Sequence, residues 1–421
     1  MGAATAKRSR ERKKQPLEYS LLYTATLCLI AAGAVMVYSA SSASALLNEG
    51  DPSYYLKRYV VLAAIGIAAM HAVSRRGLAA VRNLTPILLT ASFVLCVAVM
   101  VPGIGVTVNG ATRWLAAGPI QFQPSELLKI SLVLYAAQLL AARPSRLQSV
   151  GALCKPLLLV VGAACLILLK QPDMGTALVV CFSIGSLLIA AGVKRRHLGI
   201  ILLVLIGFAL IFAIAEPYRR ARLLSFVDPW KDAGGAGFQS VQAMIAMGSG
   251  GMFGVGLGES VQKIFYLPEA HTDMILAIVG EELGVVGVTA LAALYGMIAY
   301  AGFRAAKLAR DRYAKLLAAG ITSLILAQAA LNFFAVMGMA PLTGVPLPFV
   351  SYGNSNLVVL LAGMGLLLNV ALHGGQAAKS AGRRGQLKAI EGGNAASRRD
   401  SGRRDGGTRR TGTRGRGRAA G

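Results

Sequence analysis

Three ionisable side chains, Glu269, His271 and Asp273, fall in the proline turn Tyr266-Leu267-Pro268-Glu269-Ala270-His271-Thr272-Asp273. The turn runs directly into an apolar segment, Met274 to Gly280, that ends on Glu281 and Glu282. Carboxylates and an imidazole are the groups of general acid–base chemistry. Ionisable groups at membrane depth face a protein interior or a water-filled cavity and mark functional sites. Asp273 stands where the loop becomes helix, so it is both oriented by the chain and reachable from outside. On a regular helix Glu281 lies about 12 Å deeper and about 80° round, and Glu282 lies nearly opposite Asp273. Neither can share the reaction of Asp273, and both are expected to make hydrogen bonds within the bundle. His271 suits a ligand or proton relay as well as a structural role.

Other stretches offer partners. In 103–123 Arg113-Trp114 combines an interfacial anchor with a guanidinium suited to gripping pyrophosphate in two places. Pro124-Ser125-Glu126-Leu127-Leu128-Lys129 starts a helix with proline in its first turn and Glu126 at the positive end of the dipole. Lys129, three residues on, shares the face of Glu126; the two make either a structural ion pair or a substrate contact. Arg219, Arg220 and Arg222 place positive charge on the side where the orientation rule disfavours it, which calls for an anion. Gln239 and Gln242 share a face if helical. The glycine-rich run 248–258 matches neither a dinucleotide nor a P-loop pattern and reads as a tight turn packed at the membrane surface. The stretch 341–353 has three prolines and no charge. Such backbone is tolerated near membrane depth only when buried or lining a cavity, so it is expected to wall the same cavity, with Ser351 either binding sugar or satisfying backbone.

These groups need elements to position them. The chain has 421 residues, 55% hydrophobic and only 14% charged, which excludes an ordinary soluble enzyme and reads as an all-α polytopic membrane protein. Ten apolar runs are expected to span, at 19–40, 56–73, 84–102, 124–142, 156–169, 174–192, 198–215, 274–302, 316–340 and 355–372, the fifth short and paired with the sixth across Lys170-Gln171-Pro172-Asp173. Residues 1–18 and 374–421 are basic tails without hydrophobic periodicity, expected to be disordered, and 19–373 is one membrane domain with a long external segment, 216–273. Basic residues concentrate in the tails and in alternate loops, so both termini are expected in the cytoplasm. The net charge of +25 then reflects topology and adhesion to anionic membrane lipids rather than nucleic-acid binding. Five cysteines without paired spacing read as small buried hydrophobes.

Met36-Val37-Tyr38-Ser39-Ala40-Ser41-Ser42, Arg113-Trp114 through Lys129, Lys170 to Ala177, Tyr266 to Asp273 with Glu281-Glu282-Leu283-Gly284, and Thr343 to Gly353 together resemble the SEDS family of bacterial cell-wall polymerases, and its division branch more than its elongation branch. The resemblance implies a SEDS-type fold of ten transmembrane helices. It also implies peptidoglycan glycosyltransferase activity on lipid II at the outer face of the cytoplasmic membrane, at the division septum. The family's essential aspartate falls on Asp273, while Arg113, Glu126, Lys129 and Asp173 fall on motif positions in or near the cavity. A class B penicillin-binding transpeptidase of the FtsI type and other division proteins are implied partners. Met274 stands where phenylalanine is common, and Ser351-Tyr352-Gly353-Asn354-Ser355-Asn356 where Ser-Tyr-Gly-Gly-Ser-Ser is.

On this reading Asp273 takes the proton from the acceptor's 4-hydroxyl as that oxygen displaces the donor's pyrophosphate with inversion, giving a β-1,4 bond. A single base contributes about 10²–10⁴-fold, so cations must also stabilise the leaving group; a divalent ion, Mg²⁺ or Mn²⁺, positioned with Asp273, is compatible. The alternative is a lipid II flippase. It needs access from both sides, whereas the motifs crowd the outer loops. A pure scaffold would not call for the buried carboxylate.

Overall fold

The computed structural model describes residues 15–374 except 109–110, 118–119, 145–148, 150, 152–153, 216–224, 236 and 265. The expected tails lie almost wholly outside the described residues, as do Arg219, Arg220 and Arg222.

Each expected apolar run is occupied by helix, because a chain in lipid must satisfy its backbone within the segment. The helices are α1 (Leu17–Glu49), α2 (Tyr54–Arg75), α3 (Leu78–Ala98), α4 (Pro124–Ala142), α5 (Leu159–Lys170, entered through a π turn at Cys154–Leu158), α6 (Met174–Ala191), α7 (Arg195–Ala215), α8 (Phe238–Ser249), α9 (Ile275–Leu308), α10 (Arg312–Val336) and α11 (Asn354–Gly374). Among the described residues eight are long and apolar enough to cross a membrane; α5, α7 and α8 are not among them. The protein is a multi-pass helical membrane protein. α10 lies at its centre, packed on α4, α6 and α9, while α2 and α3 expose most of their surface.

The helical fold carries one addition that hydropathy did not reveal. Between α3 and α4, β1 (Gly105–Val108), β2 (Ala111–Ala117) and β3 (Ile120–Phe122) form an antiparallel meander, with Val106 opposite Trp114 and Leu115 opposite Phe122. Its strands are too short for periodicity to announce, and one pairing is broken by a register shift after Val106. The sheet ends directly on Pro124 at the start of α4 and so delivers Arg113 on a rigid element.

The second departure concerns 216–273. Its central part does not lie wholly outside the helices: α8 packs along α9, and the glycine-rich stretch beyond it inserts into a break in α9 at Gly284, whose φ of 65° and ψ of −161° are not helical. Gly254 and Gly256 flank Val255 in positive φ. Val255 and Gly256 donate their N–H groups to Glu281 O and Glu282 O at 2.9 and 3.1 Å, while Val285 and Val286 donate theirs to Gly251 O and Met252 O at 3.0 and 3.2 Å. The loop thus takes up the backbone groups that the break releases, which allows an interruption inside an apolar helix. A Cβ on Gly250 would stand 1.9 Å from Gly280 O, and one on Gly254 2.1 Å from Glu282 O. Glycine is required here by close backbone approach rather than by a surface turn.

Candidate active site

Asp273 occupies the last turn before α9, half-buried. The turn is formed by Glu269, in positive φ at 57°, whose carbonyl accepts the N–H groups of Thr272 and Met274 at 3.1 and 3.3 Å. The Thr272 hydroxyl lies 2.8 Å from Glu269 Oε2 and 3.3 Å from Asp273 Oδ1, so it holds the two carboxylates in one polar patch. Across from it runs 341–353, as non-helical as its prolines require. Asp273 Oδ2 lies 3.7 Å from where a Cβ of Gly344 would stand. Gly344, with φ of 67°, leaves the carboxylate open on that side.

The same loop collects the other predicted groups. A Cβ on Gly175 would lie 2.5 Å from Thr343 O, so the start of α6 abuts the residue next to Gly344. Asp173, 3% exposed, caps that helix by accepting the Thr176 N–H at 3.1 Å and lies 3.4 Å from the Ser125 hydroxyl. Arg113 reaches over from β2: its Nε donates to Gln171 O at 2.8 Å, its Nη2 to Pro172 O, and its Nη1 sits 3.9 Å from Asp173 Oδ1. The guanidinium remains partly exposed, while the carboxylate that orients it does not.

Glu126 and Lys129 form the ion pair their spacing predicts, at 2.9 Å, with both side chains no more than 2% exposed. Lys129 Nζ also donates to Gln328 Oε1 at 3.0 Å, and Gln328 Nε2 donates to Pro346 O at 3.0 Å. As placed, the pair supports the 343–346 loop from beneath instead of reaching the surface. The lone-pair capacity of Glu126 is not fully used, since Oε2 is buried without a partner.

His271 and Ser351 belong to the rim. The Tyr352 N–H donates to His271 O at 3.0 Å, and the His271 ring packs against Tyr55 and Tyr352 with centroids 4.4 and 5.7 Å away. Burial pushes the imidazole pKa down against the pull of Glu269, so His271 is set as a neutral ring. Ser351 is buried, and its hydroxyl accepts the Leu347 N–H at 2.8 Å, which is the backbone role of the two foreseen for it. Gln239 Nε2 donates to Pro268 O at 3.3 Å, tying the start of α8 to the Asp273 turn; Gln242, one turn on, is half-buried on α8.

Glu281 and Glu282 are separated from this patch, as their helical offset predicts. Glu281 accepts from the Ser260 hydroxyl and from Val261 N at 3.0 Å. Glu282, fully buried, accepts from Ser39 at 2.7 Å and pairs with Lys263 at 2.9 Å. The sequence reading missed Lys263, Asn332, Gln328 and Arg58. Arg58 lies 4.3 Å over the Tyr54 ring, and burial raises the pKa of the Tyr352 phenol against the pull of the Arg58 charge. Among the cysteines whose side chains are described, Cys96 and Cys165 are buried as expected, Cys181 is half-buried, and Cys28 departs from the expectation by being exposed on α1.

Among the described residues no three His, Cys, Asp or Glu side chains group as metal donors. Asp273 and Glu269, held in one patch by the Thr272 hydroxyl, are oxygen donors of the kind that bind Mg²⁺ together with substrate phosphates.

The chain matches the family model described as cell cycle protein, FtsW/RodA/SpoVE, over residues 19–375. It is 44% identical to the probable peptidoglycan glycosyltransferase FtsW of Thioalkalivibrio sulfidiphilus, over 85% of this chain and 90% of that one. Its fold is similar to a structure described under structural coordination of polymerization and crosslinking by a peptidoglycan synthase complex, with TM-score 0.69, 29% identity, and 84% and 97% of the two chains covered. It is also similar to the rod shape determining protein RodA of Thermus thermophilus, with TM-score 0.62, 29% identity, and 83% and 95% covered. With nearly the whole membrane domain matched by the family model, and relatives as much as 44% identical over most of both chains, the chain belongs to the FtsW/RodA/SpoVE family.

Proposed function

We propose that this protein is a peptidoglycan glycosyltransferase that polymerises lipid II into β-1,4-linked glycan strands for septal wall synthesis. The observation that carries the reading is the convergence of three elements on residues 343–346: the Asp273 carboxylate beside Gly344, the start of α6 that Asp173 caps beside Thr343, and Lys129 linked to Pro346 through Gln328. A carboxylate and a partly exposed guanidinium on one wall are the minimum set for deprotonating a sugar hydroxyl while a pyrophosphate departs.

Asp273 accepts the proton of the acceptor's 4-hydroxyl as that oxygen attacks the anomeric carbon of the donor chain. The anomeric C–O bond to pyrophosphate breaks with inversion. Arg113, held in place by two backbone carbonyls and Asp173, offers its remaining N–H groups to the pyrophosphate. Arg219 and Arg220, outside the described residues, are further candidates for the same anion, and Gln239, Gln242 and His271 for the sugar or peptide. Asp273 would hold a divalent ion, Mg²⁺ or Mn²⁺, which when bound would supply charge that neutralises the leaving group. On this reading the chain has ten spans with both termini in the cytoplasm, Asp273 faces the outside, and the protein acts at the septum. The partner of this reading is a class B penicillin-binding transpeptidase of the FtsI type, supported by the similar structure that comes from a peptidoglycan synthase complex.

The test is polymerisation of purified lipid II by detergent-solubilised protein with its transpeptidase. Wild type is expected to form glycan strands, and Asp273→Asn to lose at least the about 10²–10⁴-fold contribution of a general base while remaining folded and partner-bound. A fully active Asp273→Asn would remove Asp273 from the chemistry, and lipid II transport across vesicles without strand formation would favour the flippase.

A further inference from the structure

Asn332 lies on α10, 2% exposed, and its side-chain amide makes two hydrogen bonds at once. Nδ2 donates to Asp273 O at 2.7 Å and to Val345 O at 2.8 Å. One amide therefore ties the turn that carries the proposed base to the wall that faces it. One helical turn earlier, Gln328 is fully buried and donates to the next loop carbonyl, Pro346 O. The loop needs such outside donors. Pro346 and Pro348 have no N–H, so the loop cannot pair its own carbonyls in a regular pattern.

The consequence is geometric. The Asp273 carboxylate hangs from a backbone whose carbonyl is pinned to α10, the most buried span, and the pin also sets its separation from Gly344. A base contributes only when it sits within hydrogen-bond reach of its proton, and misplacement by about 1 Å is enough to cost about 10²-fold.

We infer that Asn332 is a positioning residue for the glycosyl transfer, fixing Asp273 against the 343–346 wall through its two-carbonyl bridge. The inference rests on Asp273 being the base. Asn332 touches backbone and not substrate, so its removal acts on turnover and leaves substrate affinity in place.

The experiment compares steady-state lipid II polymerisation by wild type, Asn332→Leu, Asn332→Asp and Asp273→Asn, each with the transpeptidase, alongside thermal unfolding in detergent. Leucine keeps the branched shape at Cγ, with more bulk, and removes the donor. Asn332→Leu is expected to lower kcat about 30- to 100-fold with KM for lipid II within about twofold. Asn332→Asp, which keeps the shape and replaces the donor by an acceptor, is expected to fall at least as far, and it decides the question if the leucine variant does not fold. A folded variant with wild-type kcat, or one in which only KM moves, overturns the inference. If Asp273→Asn is inactive and the Asn332 variants are fully active, this inference alone fails. If Asp273→Asn is active, the base assignment fails whatever the Asn332 variants do.

Discussion

The two ends of the first third of α9 meet the same problem, irregular backbone and carboxylates beside an apolar helix, and solve it differently. At the entry, Asp273 is left half-buried, and neutral amides from α10 hold the surrounding backbone. At the break near Gly284, Glu281 and Glu282 are buried and consumed by partners: Ser260 and Val261 for one, Lys263 and Ser39 for the other. The break spends its carboxylates on holding the glycine-rich loop in place. At the entry, the backbone that carries the carboxylate is held by groups that carry no charge. Charge buried at the break is compensated by charged and polar partners, whereas the carboxylate proposed as the base is positioned through its main chain.

Substitutions that separate stability from activity sharpen this contrast. Gly254→Val is expected to have the largest effect, because it places a branched side chain at φ of 81° with its Cβ 2.1 Å from Glu282 O. The loop cannot then remain in the break, and a loss of about 4 kcal/mol or more would appear as little monodisperse protein in detergent gel filtration. Recovery of a normally stable protein would show that the loop is not seated against Glu282. Next comes Glu282→Gln, which leaves the Lys263 ammonium buried beside a neutral amide. A loss of about 3–5 kcal/mol is expected in thermal or denaturant unfolding. Adding Lys263→Met should return most of it, since removing both charges removes the desolvation cost; a double variant no better than the single one would contradict a paired role.

The smallest effect belongs to His271 at the entry. Burial holds its pKa below that of the unfolded chain, so the folded state binds fewer protons between the two values. Stability is therefore unaffected above the unfolded pKa of about 6.5 and falls as pH drops from there through the depressed folded value. Melting temperatures at pH 7.5 and pH 5.5 should show a decline in wild type that is reduced in His271→Gln. An identical decline in both would assign the pH dependence to other groups.

Much of this was legible locally. The apolar runs located ten of the helices, most to within about four residues, while one end of α1, α3 and α9 lies six to nine residues beyond its run, because lipid demands internally satisfied backbone but a helix can continue past the hydrocarbon. The offset of Glu281 and Glu282 from Asp273 followed from helical geometry, and the Glu126–Lys129 pair from three-residue spacing. The meander between α3 and α4 was not legible, since its strands of 4, 7 and 3 residues carry too little pattern. The glycine run was visible as a run but not as an insertion into another helix.

By itself, then, the sequence determined a polytopic helical protein and a candidate base at a loop–helix junction, and it named candidate cations to accompany it. Tertiary structure decided which of them meet. Arg113 finds its carbonyls 58 residues away, Lys129 reaches the proline loop only through Gln328, and Asn332 joins Asp273 to Val345 across 59 and 13 residues. Such contacts are set by which helix faces pack together, and no local propensity encodes that choice. It arises from burying all the apolar faces at once, so the partners of a polar group emerge only with the whole bundle.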